Sequence, residues 1–463
     1  MTTNVRLPQA VNAYFNAEVA YGTPAGNALT SVGSLDTFDP RQFDRQYTPV
    51  SSIGQSTNAH ILSGPIKVTC PIKIGLHGAG WRNFLSRSIG LSTIDSNSIG
   101  QKLSNTVDSV SIIADEKIGS NYQATLVSGV AFNGVDLEAD FTTGSLATLT
   151  CDTFAYWSEE GPSGASTRAA ARDFSASGFL RTNYGSIATG SMPTTSPATG
   201  QDITVKYGSQ GGNLATTLDK GLKIDGPANS YVEVGEKYMT FWTSNAPATA
   251  VDSDGVVDIS TGNGSTIGDG TTSGAAGGLA KIINDASGWA CEDTGSSANT
   301  IPSQNLKKGI YDVSGNGNVS DDPYYIYAVD TLTEVPYLKT MKLSVLNNLN
   351  SIPQAQTVNG TKFLQHANLF RGASEVTLDL TMTAKDETFY DALQSDLTIP
   401  LMEVAITEGG STYKIALTNG KIMNRTAPYT AGTETPENLT IKFSGEGSLH
   451  DYSAYAISTG WTL

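Results

Sequence analysis

Residues 376–383 read Val376-Thr377-Leu378-Asp379-Leu380-Thr381-Met382-Thr383, apolar and polar by strict turns. A period of two puts Val376, Leu378, Leu380 and Met382 on one face, which is the pattern of a half-buried β-strand. The next segment changes period. Over Lys385–Asp396, Phe389, Ala392 and Leu393 fall at helical spacing and predict a short helix with one apolar face. Strand patterns resume at Pro400–Thr407, Thr412–Leu417, Lys421–Ala427 and Glu437–Gly445, with Gly409–Gly410 and Asn419–Gly420 read as the turns between them.

The same grammar occurs upstream. Ile66, Val68, Cys70, Ile72 and Ile74 alternate with polar residues and Pro71, which reads as a strand at an edge or with a bulge. Trp81, Phe84 and Leu85 then form one face of a second short helix, and strands follow at Val107–Ala114, Gln123–Phe132, Val135–Phe141 and Leu146–Trp157. Asn133–Gly134 predicts a hairpin turn. Leu338–Leu346 opens the later copy, with Val107–Ala114 as its candidate counterpart. The expectation is a mainly β (α+β) chain with two tandem modules. Each has a flanking helix, and Trp81, Phe84, Leu85, Phe389 and Leu393 pack helix on sheet.

Between the copies, residues 160–215 and 252–278 are rich in Gly, Ser, Thr, Ala and Pro, and only isolated strand signals persist, at Ile203–Tyr207 and Tyr231–Trp242. A helical pattern at Leu279–Ile283 leads to Trp289. The organisation read from this is an extended N-terminal arm (1–50), a first module (51–157), an inserted β-rich outer module (158–330) and a second module (331–463). The arm lacks a core-forming period, and its Phe15, Tyr21, Phe38, Phe43 and Tyr47 are expected to dock elsewhere, on an adjacent subunit or ring. A strap over its own module is the alternative.

The formal charge is −16 over 463 residues, with 16% charged and 39% hydrophobic. Residues 1–157 carry 12 acids and 9 bases, 158–330 carry 19 and 10, and 331–463 carry 13 and 9. This is no basic footprint for gripping nucleic acid. Three cysteines, Cys70, Cys151 and Cys291, form no disulfide framework. Met1–Pro8 has no signal-peptide pattern and no apolar run reaches about 20 residues, so synthesis in a reducing cytoplasm without membrane insertion is expected.

Signals for chemistry are weak. His77-Gly78-Ala79-Gly80 looks like an oxyanion-hole turn without a nucleophile elbow, and a glycine turn before a helix explains it. His60, His77, His366 and His450 have no partner at ligand spacing. Asp252-Ser253-Asp254-Gly255 with Asp258 starts like a calcium loop, but Asn263 stands where the closing acid belongs, and Asp321–Asp322 is as weak. Glu159–Glu160 beside Trp157 is a carboxylate pair near an aromatic residue. The expectation is no enzyme activity, no catalytic or metal residues and no cofactor.

Residues 13–24, with Glu18, Gly22, Thr23 and Pro24, resemble the E-x-x-x-G-T-P opening of bacteriophage tail tube proteins. Residues 128–139, Met341–Leu349, Gly372–Thr383, Glu387–Leu393 and Ile399–Ile406 resemble that family's strands in the same order. The segment 158–330 departs from its pattern. The resemblance implies two tandem β-sandwich or barrel modules, each with its flanking helix, in a virion protein assembled in the host cytoplasm. Rings of it stack into a tube that encloses the tape measure protein, meets tail terminator and tip proteins, and passes genomic DNA. Three chains per ring are expected if each module fills one of six positions, alternatively six. An outer insert favours a long, non-contractile tail. Thr377, Asp379 and Thr381 are candidate lumen-facing residues of a neutral or negative channel. The competing classes are a secreted or surface β-rich adhesin or surface-layer protein, and a polysaccharide-degrading tail enzyme.

Overall fold

The computed structural model describes residues 11–24, 30–33, 35–39, 42–50, 60–89, 107–144, 147–162, 164–171, 202–208, 221–235, 238–243, 255–272, 276–294, 300–306, 309–320, 323–328, 332–358, 361–383, 389, 393–394, 396–408, 411–428, 436–444 and 454–456. Its first part contains β1 (Val11–Ala20), β2 (Thr23–Pro24), β3 (Thr30–Ser31), β4 (Leu35–Phe38), β5 (Gln42–Val50), β6 (His60–Thr69), β7 (Ile72–Gly75), α1 (Ala79–Ile89), β8 (Ser109–Ile118), β9 (Asn121–Asp140), β10 (Thr148–Phe154), β11 (Trp157–Glu160), α2 (Arg168–Ala171) and β12 (Asp202–Gly208). The middle contains β13 (Gly221–Asp225), β14 (Tyr231–Val234), β15 (Tyr238–Trp242), β16 (Gly255–Asp258), α3 (Gly278–Asn284), β17 (Ala290–Asp293), β18 (Gly309–Asp312) and β19 (Tyr324–Tyr327). The last part contains β20 (Leu332–Glu334), β21 (Leu338–Leu346), β22 (Asn350–Val358), β23 (Thr361–Phe370), β24 (Glu375–Met382), β25 (Ile399–Glu408), β26 (Ser411–Thr426), β27 (Glu437–Phe443) and β28 (Ala454–Ala456). The chain is mainly β, with large antiparallel sheets.

The strand pairings reveal a repeat deeper than the sequence suggests. In the first copy the ladder runs β4–β7–β10–β9, and β9 continues into β8 and β1, with β11 on its other side. In the second it runs β21–β24–β27–β26, and β26 continues into β25 and β12, with β28 on its other side. Each copy also sends out a hairpin at the same place, β5–β6 and β22–β23, and the two hairpins meet through β6 and β23. The counterpart of Leu338–Leu346 is therefore Leu35–Phe38, not Val107–Ala114, which corresponds to β25. Alternation alone cannot assign partners, because every half-buried strand shows the same period.

The two Asn-Gly pairs expected to turn, Asn133–Gly134 and Asn419–Gly420, make no hairpins. Asn133–Gly134 and Asn419–Gly420 lie inside β9 and β26, single strands of 20 and 16 residues. Near both sites the strand exchanges partners, β9 passing from β8 and β11 to β10 and β21, and β26 from β25 and β28 to β27. A two-residue type I′ turn needs positive φ at both central residues. Among these four only Asn419, at φ 53°, has it. Asn133 is instead used as a tie: its Nδ2 donates to Asp152 at 2.8 Å and its Oδ1 accepts from the Leu349 amide at 2.8 Å. Gly420 is required for space, since a Cβ there would lie 2.7 Å from the Phe443 ring.

One continuous core serves both copies. Trp81, Phe84 and Leu85 of α1 are completely buried in it, each worth about 1.5–3 kcal/mol of apolar burial. Phe84 packs on Phe15 of β1 with ring centroids 5.4 Å apart, and Phe389 packs on Tyr207 of β12 at 4.9 Å. These two contacts occupy the same place in the repeat. Of the expected helix Lys385–Asp396, Phe389 and residues 393–394 are helical, Asp396 is a turn residue with φ 50°, and the others lie outside the described residues. Leu393 is 39% exposed, so it does not pack on the sheet as expected.

Two sequence boundaries shift. β1 pairs with β8 along Val11–Ala17, and Ala13, Tyr14 and Phe15 are all buried. Strands β1, β3 and β4 are thus a strap over their own module. Phe38 also rests on the core, whereas Phe43 and Tyr47 on β5 are exposed. In the middle segment, β11 and β12 belong to the repeats, while residues 221–328 form a separate core around Leu222, Ile224, Met239, Leu279, Ile283 and Trp289. The ends of that segment are neighbours, with Gly221 opposite Tyr327.

Candidate functional site

The ladders of the two copies are one sheet. β21 pairs with β24 of its own copy on one side and with β9 of the first copy on the other, Leu343 standing opposite Leu137. The resulting order is β4–β7–β10–β9–β21–β24–β27–β26, eight antiparallel strands. One face of this sheet is core: Ile72, Ile74, Leu149, Leu137, Leu343, Leu378, Leu380 and Ile441 are buried. The opposite face is polar and partly exposed.

That polar face carries Asp36, Asp136, Glu138, Asp152, Glu375 and Asp379 against Lys73, Lys342 and Lys442, an acidic excess. The charges form cross-strand pairs. Lys342 lies 2.9 Å from Asp136 and 3.0 Å from Glu138, so the seam between the copies is ionic on this side. Those two carboxylates, the Asp136 hydrogen bond first, hold the Lys342 ammonium pKa above its ordinary range. Lys442 meets Glu375 at 2.9 Å and holds that carboxyl below its ordinary value of 4.5. Asp379 accepts from the Thr440 hydroxyl at 2.6 Å, and Thr381 donates to Asn438 at 2.9 Å. Thr377, Asp379 and Thr381, singled out in the sequence, all project to this face.

Helix α1 clamps the seam from behind. Glu408, at the end of β25, accepts from the Gly78 amide at 2.7 Å and from Trp81 Nε1 at 3.1 Å, and His77 Nδ1 lies 3.3 Å away. Arg82 bonds the Tyr413 hydroxyl and lies over the Tyr413 ring. At the other end of the helix, Asn347 and Arg371 donate to the Ser88 carbonyl at 2.9 and 3.2 Å. The His77–Gly80 turn is thus a docking element. Its glycines allow a close approach to residues 32–33; Gly78 has φ 89°, and a Cβ on Gly80 would lie 2.1 Å from the Val32 carbonyl.

The E-x-x-x-G element also has a structural use. The Glu18 carboxylate accepts from the Gly22 amide at 2.9 Å, the Gly129 amide at 2.8 Å and the hydroxyls of Ser109 and Ser111. Burial and this carboxylate push the Tyr21 phenol pKa up. Thr23 and Pro24 are the short β2, which returns onto β1.

Other sequence candidates stay apart. Asp258 Oδ1 accepts from the Ser260 and Thr261 amides, a local turn, while Asp252–Asp254 and Asp321–Asp322 lie outside the described residues. Glu160 accepts from Gln123 at 2.7 Å. The structure describes the backbone at His60 and His366 but not at His450. Among the described residues there is no group of three His, Cys, Asp or Glu placed to hold a metal. The cysteines are buried and free, with their thiol pKa values pushed up by burial. No helix among the described residues is long and apolar enough to cross a membrane.

Sequence reading missed the hairpin sheet β22–β23–β6–β5 as a surface. It exposes Phe43, Tyr47, Ile352 and Phe370, each 40% or more. Its signal was the pair Asn359–Gly360, which stands in the sequence between Val358 and Thr361, partners across the two strands.

No family model matches the chain, and no curated protein matches it. Among solved structures, one chain from the "anti-feeding prophage (AFP) baseplate, 6-fold symmetrised" is similar at a TM-score of 0.25 and 8% identity, covering 35% of this chain and 97% of that one. A likeness at that level carries no argument about this protein.

Proposed function

We propose that the chain is a structural protein of a phage particle and, more finely, the subunit of a tail tube. The observation that carries the reading is the eight-stranded sheet with one buried face, one acidic polar face and, among the described strands, an open strand at each end. An open antiparallel sheet invites edge-to-edge association. Closure into a ring removes both edges at once. Three chains would bring roughly 24 strands, more than the 16–18 that already leave an aqueous channel. At about 4.8 Å per strand the backbone diameter is roughly 37 Å. With the polar face inward, the acidic excess would let DNA pass without adhering.

In this reading each repeat takes one of six positions, and three chains complete the ring. The exposed hairpin sheet, with Phe43 and Tyr47 from the sequence-defined arm, would contact the next ring, and the segment 221–328 would lie outside the tube, as in a non-contractile tail. Tape measure, terminator and tip proteins are the partners that the family resemblance implies. The role requires no catalytic residue and no cofactor.

Negative-stain microscopy of the purified chain tests the proposal. Rings or tubes with a central channel and a threefold rotational spectrum are expected. Sixfold rings carrying the mass of one whole chain at each position would overturn the stoichiometry, and discrete single chains at high concentration would overturn the tube.

A further inference from the structure

The internal seam is a template for a contact between chains. β21 has two strand partners, β24 and β9. Its counterpart in the first copy, β4, pairs only with β7 among the described strands. On the other side, β9 presents residues 134–138 to β10 and 134–140 to β21, whereas the matching half of β26, Lys421–Thr426, pairs among the described strands with β27 alone. One copy lacks the strand that the other offers. We infer that β4 of one molecule adds to β26 of a second copy of this chain, antiparallel, as β21 adds to β9. The inference rests on the ring reading and supplies its interface.

The register follows from the repeat. Leu343 is opposite Leu378 on β24, and Phe38 is opposite Ile72 on β7. We set Ile441 of β27 against Cys151 of β10 as the alignment of the two copies, which makes Leu378 match Ile72. Phe38 therefore matches Leu343. On the receiving strand, Leu137 is opposite Leu149 of β10, and Arg425 is opposite Leu439 of β27, so Arg425 matches Leu137. Leu343 stands opposite Leu137, which places Phe38 opposite Arg425 and Thr37 opposite Thr426. Leu35 and Phe38 are the two residues of β4 that rest on the core, and Thr37 and Thr426 are exposed on the polar face, so inward meets inward.

A second observation agrees. Within the chain, Ser88 near the end of α1 is completely buried beneath Asn347 and Arg371 of the other copy. Leu393 holds the equivalent position in the second copy, counted from the matching Phe84 and Phe389, and is 39% exposed. Met423, on the open strand half, is 62% exposed. Apolar side chains are uncovered where the first copy of a neighbouring chain would sit.

The test uses the full chain carrying both Thr37→Cys and Thr426→Cys, assembled and then oxidised. Cys70, Cys151 and Cys291 are buried, and the wild type controls for them. A covalent ladder ending at three chains is expected, with neither single variant giving more than a dimer. In parallel, amide exchange of the wild type should slow at least tenfold at residues 35–38 and 421–426 on assembly. Rings that show neither cross-link nor protection overturn this pairing while leaving the tube intact. Cross-linking that is stronger with Asn424→Cys in place of Thr426→Cys overturns the register. A chain that forms no rings by microscopy and shows no protection overturns both the pairing and the ring reading.

Discussion

The two copies share a strand order but differ in what covers them. In the first, the helix is clamped at both ends by Glu408, Tyr413, Asn347 and Arg371 of the second. In the second, the helical residue Leu393 is left open. The difference lies in the surroundings rather than in the modules, because both bury an equivalent aromatic pair, Phe84–Phe15 and Phe389–Tyr207. A repeat whose members are unequally covered identifies the surface on which the next member belongs.

Truncating those aromatics tests the equivalence most severely. Phe84→Ala and Phe389→Ala should each cost about 3–5 kcal/mol in denaturant unfolding, as large-to-small changes in a closed core do. If Phe389→Ala costs under about 1 kcal/mol, the second helix is not the counterpart of the first. The Glu18 tie distinguishes the copies, since no described residue repeats it. Glu18→Gln leaves at least two of its four donors without an acceptor and should cost about 2–3 kcal/mol. An unchanged denaturation midpoint would remove the tie as a reason for the E-x-x-x-G pattern.

Smaller effects concern the polar face and the insert. The Glu375 pKa is depressed by Lys442, so the stability this pair adds is fully present above the ordinary value of 4.5. It is lost as pH falls through the depressed value. The melting difference between wild type and Glu375→Gln should therefore be small at pH 7 and vanish by about pH 3. A difference that grows on acidification would reverse the assignment. Replacing residues 221–328 by a short Gly-Ser linker should change the stability of the rest by less than about 1 kcal/mol, because Gly221 and Tyr327 are already adjacent. Loss of cooperative unfolding in that deletion would show that the insert supports the repeats.

Much of the architecture was legible in local pattern. The alternation at 376–382 and the helix face at Trp81, Phe84 and Leu85 point directly at buried residues. What misled was local too. β1 is buried through Ala13, Tyr14 and Phe15 in succession, so it shows no period and reads as a loose arm. Asn-Gly pairs favour hairpins in short strands, but in β9 and β26 the ladders on both sides keep the chain extended. The polar side of the sheet could be guessed at Thr377, Asp379 and Thr381. The seam could not, because Leu137 and Leu343 are 206 residues apart and nothing in either strand names the other.

That separation has a kinetic consequence. Pairing Asp140 with Thr340 closes a loop of 200 residues, and long closures slow folding. If the segment between Gly221 and Tyr327 folds first, its own strands bring those two residues together, and the effective loop falls to roughly half its length. Each halving lowers the closure entropy by about 0.6 kcal/mol. The insert would then act during synthesis as a self-tying knot in a long string, shortening the search by which the second copy finds the first.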